Sequence, residues 1–178
     1  MASIIKNRAV IDDAWQVVRA GEDGVLPDVD ALPAGKLLVP LAYWQASRDA
    51  LAASRGKDEL GVWLAPDSEP ADVVADFDKL TVIAVDFPRF GDGRGYSTAH
   101  LLRNRYGWTG ELRAIGDVLR DQLNYLSRCG FDAFAVRADR DPHDALAAFT
   151  EFSERYQGAV DDAVPLFRRR AAAGQVNA

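Results

Sequence analysis

The sequence predicts an α/β domain of about five strand–helix units. Its sheet is expected to be mainly parallel, either open or curled into a partial barrel, and preceded by a small N-terminal β-hairpin. Two observations carry this. Short β-favouring apolar runs at 37–39, 60–64, 81–86, 111–115 and 131–136 alternate with stretches of helical pattern. That alternation implies parallel pairing through right-handed crossovers. The second observation is length. The chain has 178 residues, enough for one domain with a core but short of the roughly 200 or more that an eight-unit barrel takes. A half-barrel completed by a homodimer stays open.

The elements follow in order. Ile4-Ile5 and Ala9-Val10-Ile11 flank Lys6-Asn7-Arg8, two β-favouring runs around a turn-prone Asn. Residues 21–35 hold three Gly and two Pro and read as a connector. A helical pattern runs from Leu41 to Ser54, between the strands at 37–39 and 60–64. Ser68-Glu69-Pro70 opens a further helix, with Pro70 in its first turn. After the strand ending at Asp86, Ser97 is expected to cap a helix that Gly107 stops. Asp117 is expected to cap the helix carrying Leu119, Leu123 and Leu126, and Gly130 to end it. Asp141-Pro142 opens the last helix, with Leu146, Phe149 and Phe152 at three-residue steps. The single α/β domain is thus expected over 1–157, of which 1–35 is hairpin and connector. Residues 158–178 read as a frayed C-terminal tail.

Composition removes several functions. The net charge is -6 and the pI about 4.9, which argues against nucleic acid as a partner, since phosphate neutralisation needs a basic surface. A local basic pocket is still allowed. Cys129 is the only cysteine. It rules out an intramolecular disulfide, a cysteine-held iron–sulfur cluster within one chain and covalent haem attachment. At a helix C-terminus, Cys129 reads as a buried inert thiol. His100 and His143 lie on different helices, so no metal site is expected, and no cofactor. The N-terminus lacks the apolar run of a signal peptide. No stretch approaches the ~20 apolar residues of a membrane span. The reading is cytoplasmic, without a membrane partner.

Ligands in parallel α/β folds meet the carboxyl ends of the strands. Three polar loops fall there. The first follows Asp86 and holds Arg89, Asp92, Gly93, Arg94 and Ser97; the second holds Gly116 and Asp117; the third holds Arg137, Asp139 and Arg140. The Gly91-Asp92-Gly93-Arg94-Gly95 run allows positive φ and close backbone approach. Amides at the start of the following helix would then favour an anion, with Arg89 and Arg94 as bidentate donors. A tight turn in which Asp92 merely pairs with Arg94 is the structural alternative. The run is no dinucleotide fingerprint, because its third glycine would belong at Tyr96, and no Walker lysine is present. Asp86 and Asp117 are the candidate catalytic acids. Glu111 and Arg113 alternate on one strand face, either as an ion pair or as the lining of a barrel interior.

Several runs together resemble one bacterial family. They include Asp13-Ala14-Trp15, Val39-Pro40-Leu41, Asp86-Phe87-Pro88-Arg89-Phe90, Asp92-Gly93-Arg94-Gly95-Tyr96-Ser97, Gly110-Glu111-Leu112-Arg113-Ala114, Gly116 to Gln122 and Arg128 to Asp132. The chain resembles the domain-of-unknown-function family numbered 934. Asn7-Arg8 stands where that family's hairpin turn is expected to read Asp-Gly. The resemblance implies a role in assimilatory sulfate or sulfite reduction, beside a sulfite reductase haemoprotein, and brings the label oxidoreductase without catalytic residues. Two functions follow as expectations. One is a non-catalytic accessory protein that docks on the haemoprotein. The other is a small enzyme or binding domain for an anionic small molecule at the strand-end rim.

Overall fold

The computed structural model describes residues 3–176. Eight strands make one sheet: β1 (Ser3–Lys6), β2 (Ala9–Asp12), β3 (Trp15–Val17), β4 (Lys36–Pro40), β5 (Leu60–Leu64), β6 (Val82–Phe87), β7 (Glu111–Gly116) and β8 (Ala133–Phe134). Their order is β2-β1-β8-β7-β6-β5-β4-β3. The pairings from β3 to β8 are parallel, whereas β1 is antiparallel to both β2 and β8. The sheet is therefore mixed, open and curled, not the mainly parallel sheet expected. The hairpin is the reason. It does not precede the sheet but extends it beyond the short ladder of β8, where it buries Ile4 and Ile5. Asn7 and Arg8 turn the hairpin at φ 50° and 64°, the left-handed conformation that two-residue loops require.

The curl follows from chain connectivity. β2 and β3 are the two edges of the sheet, yet only Asp13 and Ala14 separate them. Three peptide steps span ~10 Å, while eight flat strands would hold their edges ~34 Å apart. The pairing directions make β2 and β3 run the same way. A two-residue link is far too short for a crossover, so the chain passes straight from one edge into the other. Asp13, Trp15 and Val17 share the concave face, and Arg19 continues it.

The concave face has its own interior. Leu38, Val82, Ala84 and Ile115 form a small apolar cluster there, with Trp15 and Trp63 packed against it. Beside it lies a buried charged group. The Arg113 side chain is 2% exposed; its Nε donates to Glu111 Oε1 at 2.7 Å, and its Nη1 donates to both Asp13 oxygens at 2.9 and 3.0 Å. Lys6 Nζ meets the other Glu111 oxygen at 2.7 Å. Ala84 and Ala133 are the register neighbours of Arg113 on the flanking strands, and their small side chains leave it room. Glu111 and Arg113 are thus both an ion pair and an interior lining.

The convex face carries the main core, which includes Leu37, Val39, Val62, Ile83, Val85 and Leu112. It is covered by α1 (Leu41–Ser54), α2 (Arg94–His100) and α3 (Arg120–Cys129), with α4 (Pro142–Ala145) and α5 (Leu166–Val176) following. Trp44, fully buried on α1, donates its indole N–H to Asp76 at 2.9 Å. Several helix starts differ from expectation. Ser97 lies inside α2, which begins at Arg94 after Gly93. The earlier start puts Gly95 where the helix touches the sheet, since a Cβ there would sit 2.6 Å from Phe87 Cζ and 3.0 Å from Val85 Cγ1. Asp117 does not cap α3 either. Leu119 precedes that helix, and its N–H donates to Gln122 Oε1 at 2.9 Å. Pro70–Lys79 winds as 3-10 helix, and α2 passes into a π turn at Leu101–Arg105. The stretch after Gln157, expected as a tail, holds α5 and is tied to α3 by Val160 N–H donating to the Arg128 carbonyl at 3.0 Å.

Three outcomes are expected. Arg113→Ala leaves Glu111 and Asp13 facing each other without their buried cation and should cost about 3–5 kcal/mol in urea unfolding, while Lys6→Ala, at a side chain 37% exposed, should cost under about 1 kcal/mol. Gly95→Ala should cost about 1–3 kcal/mol through overpacking, with Gly93→Ala, whose Cβ meets only Tyr96 at 3.8 Å, within about 0.5 kcal/mol of neutral. Burial pushes the Cys129 thiol up, against the opposing pull of Tyr125 and Arg128. A raised pKa means less thiolate at any given pH, so iodoacetamide should react slowly at pH ~8 in the folded protein and at an ordinary thiol rate in urea.

Candidate functional site

The strands of the parallel run end on one rim, and Asp86 stands there as the last inward residue of β6. It is 6% exposed. Its carboxylate is held by Arg19, with Nη2 donating to Oδ1 at 2.6 Å and Nη1 to Oδ2 at 3.3 Å. Arg19 comes from the segment just after β3, its side chain 48% exposed. Trp63, on β5, carries the guanidinium over its ring at 5.0 Å and fixes its own indole by donating to the Val18 carbonyl at 3.0 Å. Gly116 closes the floor. Its φ is 94°, and a Cβ there would lie 2.9 Å from Asp86 Oδ1 and press on the Phe87 carbonyl. Only glycine combines that φ with that approach.

Asp117 and Arg137 form the second half of the rim. Arg137 Nη1 donates to Asp117 Oδ1 at 2.8 Å. The rest of its fork grips Asp139, with Nε donating at 2.6 Å and Nη2 at 3.0 Å. Hydrogen bonds to Asp139 and then Asp117 raise the Arg137 pKa still further, and the same contact holds Asp139 below the usual carboxylate range. The other Asp117 oxygen accepts the Phe90 N–H at 2.9 Å. Asp117 therefore braces the loop after β6 against the loop after β8, in place of capping a helix.

Arg19, Asp86, Phe87, Pro88, Gly116, Asp117 and Arg137 line one cavity of about 370 Å3. Three of the sequence candidates, Asp86, Asp117 and Arg137, meet here. The rest of the first loop does not line it. Arg94 folds back onto Asp92, with Nε to Oδ1 at 3.0 Å and Nη2 to Oδ2 at 2.7 Å, and its side chain stays 60% exposed. That hydrogen bond depresses the Asp92 carboxyl. Gly91, Gly93 and Gly95 do not take positive φ, so the run is a turn that seats a helix. Arg89 is exposed. Ser97 lines a separate groove of about 380 Å3 with Tyr96, His100, Leu101, Tyr125 and Cys129. A hollow of about 440 Å3 between α3 and α4 is larger still, but its charged groups, such as Arg120, Asp121 and Asp144, are solvent-exposed. The rim alone among these sets a buried carboxylate beside arginine.

Sequence reasoning missed Arg19, the role of Trp63 as its platform, and β3, the strand that leads to Arg19. A signal existed: Trp15, Val17 and Arg19 alternate. It was hidden because β3 is three residues long and runs into a Gly/Pro-rich connector. Chemically, the rim offers two guanidinium groups from different elements as oxyanion donors, and two carboxylates that can accept a cation or a proton. Among the described residues, no three His, Cys, Asp or Glu side chains are placed to hold a metal ion. No described helix is long and apolar enough to cross a membrane.

No curated protein and no solved structure matches the chain. Residues 61–167 match the family described as "Bacterial protein of unknown function (DUF934)". That stretch contains Asp86, Arg113, Asp117 and Arg137, while Arg19 and Asp13 precede it. Since it spans more than half of the 178 residues, the chain belongs to this bacterial family, DUF934.

Proposed function

We propose that the protein is an accessory protein of assimilatory sulfite reduction, and that its rim cavity binds a small oxyanion. One observation carries the binding part. Two arginines from separate elements, each already oriented by a carboxylate, face a single cavity at the carboxyl ends of parallel strands. Preoriented guanidinium forks lose little freedom on binding, which favours planar or tetrahedral oxyanions over a point charge. The sulfur setting comes from the family resemblance, which sets such chains beside a sulfite reductase haemoprotein. A function by docking on that haemoprotein is the second reading, favoured by the acidic balance of -6, which suits a basic partner surface.

Thermal unfolding with sulfite, sulfate and phosphate tests the cavity. Ligand at 100 times its dissociation constant should stabilise the fold by about 2.7 kcal/mol. Arg19→Ala and Arg137→Ala should each remove the shift. Loss of the shift in Arg94→Ala instead would move the site onto the glycine-rich loop. For the setting, a strain lacking the gene should grow on cysteine but poorly on sulfate or sulfite. Equal growth on all three would remove the protein from sulfur assimilation. Retention of the haemoprotein by tagged protein, without any response to anions, would favour docking over ligand binding.

A further inference from the structure

We infer that the rim ligand is a small zwitterion, a short aliphatic molecule with an oxyanion at one end and an ammonium at the other. This rests on the rim being a ligand site. The charge inventory of the cavity points to it. Arg19 and Arg137 bring two cations to the lining, and Asp86 and Asp117 bring two anions. Neither arginine waits unpaired. A bare oxyanion must draw a guanidinium away from a carboxylate that already holds it at 2.6 or 2.8 Å.

The loss would fall hardest on Asp86. Its two oxygens take both Arg19 donors, and among the described residues Arg19 is the one cation that reaches it. With Arg19 turned toward an anion, a carboxylate only 6% exposed would stand without counter-charge, and a buried unpaired ion is costly. A ligand that brings its own ammonium removes that penalty, because its cation replaces Arg19 at Asp86 as its anion engages the arginine. At Asp117 the ammonium can approach the oxygen that faces Arg137, while the Phe90 N–H stays on the other oxygen and Asp139 keeps its two bonds to Arg137. Pro88 supplies apolar wall for the carbon chain between the two charges. The volume, about 370 Å3, falls at the small end of ligand cavities.

Isothermal titration of the full-length protein with matched two-carbon probes decides the question. These are 2-aminoethanesulfonate, ethanesulfonate and ethylammonium, with sulfite alongside. The zwitterion should bind at least about tenfold tighter than ethanesulfonate, the factor of one added charge-assisted hydrogen bond. Asp86→Asn should erase that preference while ethanesulfonate binding persists. Asp117→Asn is an independent second variant should Asp86→Asn misfold. Equal affinity for the two sulfonates in the unmodified protein would overturn the inference and leave oxyanion binding intact. Absence of binding by every probe would overturn both.

Discussion

The fold turns on one buried guanidinium. Arg113 sits at the middle of the sheet, on β7, and reaches across the concave side to Asp13, one of the two residues that join the sheet edges. Sheets twist and curl on their own, but the amount of curl here is fixed by a chain that leaves one edge and enters the other within two residues. That geometry drives charged side chains from opposite sides of the interior together. Glu111 and Lys6 complete the set, so two positive and two negative groups balance, with Arg113 and Glu111 almost fully covered and Lys6 reaching out to solvent. A buried ion group of this kind is poor evidence of added stability and better evidence of specified geometry. An apolar set would tolerate several curls, whereas this one is satisfied in a single register.

The same rule governs the rim, with a different outcome. Asp86 is buried, yet its cation, Arg19, keeps half its side chain in solvent. Asp117 and Arg137 are likewise only partly covered. Inside the curl, Arg113 and its two carboxylates are covered; at the rim, both arginines keep part of their side chains in solvent. Paired charge that remains accessible to solvent is exchangeable, and exchange is what a binding site needs. The Trp63 ring beneath Arg19 limits the directions in which that arginine can move.

Much of the architecture was legible in the sequence. The buried strands expected at 60–64 and 81–86, found at 60–64 and 82–87, announced themselves as apolar runs, because both faces are covered, and α1 matched its pattern from end to end. What failed was local chemistry with more than one physical use. Asp117 has the residue type of a cap but serves as a brace between loops, since Gln122 already satisfies the helix start. The three glycines from 91 to 95 have the composition of an anion cradle, yet Gly95 is there because no side chain fits between α2 and Phe87. Spacing does not distinguish a glycine needed for φ from one needed for space. Arg19 was out of reach for another reason: its partner Asp86 lies 67 positions away, and no local pattern records that pairing.

Closure and rim are joined by one strand face. Asp13, Trp15, Val17 and Arg19 stand on alternate positions of the segment that carries the chain from β2 through β3. Six residues of extended chain span ~20 Å, so the Asp13 contact with Arg113 and the Arg19 contact with Asp86 are the lower and upper anchors of a single rod. The ladder to β4 persists to Val18, whose N–H donates to the Leu38 carbonyl at 2.8 Å, and stops just short of Arg19. The rod is therefore fixed along its length and released at the residue that meets the cavity. The N-terminal segment, which precedes the matched family stretch, contributes both the Asp13 anion of the interior and the Arg19 cation of the rim, so the charge pairing of residues 61–167 is incomplete without it.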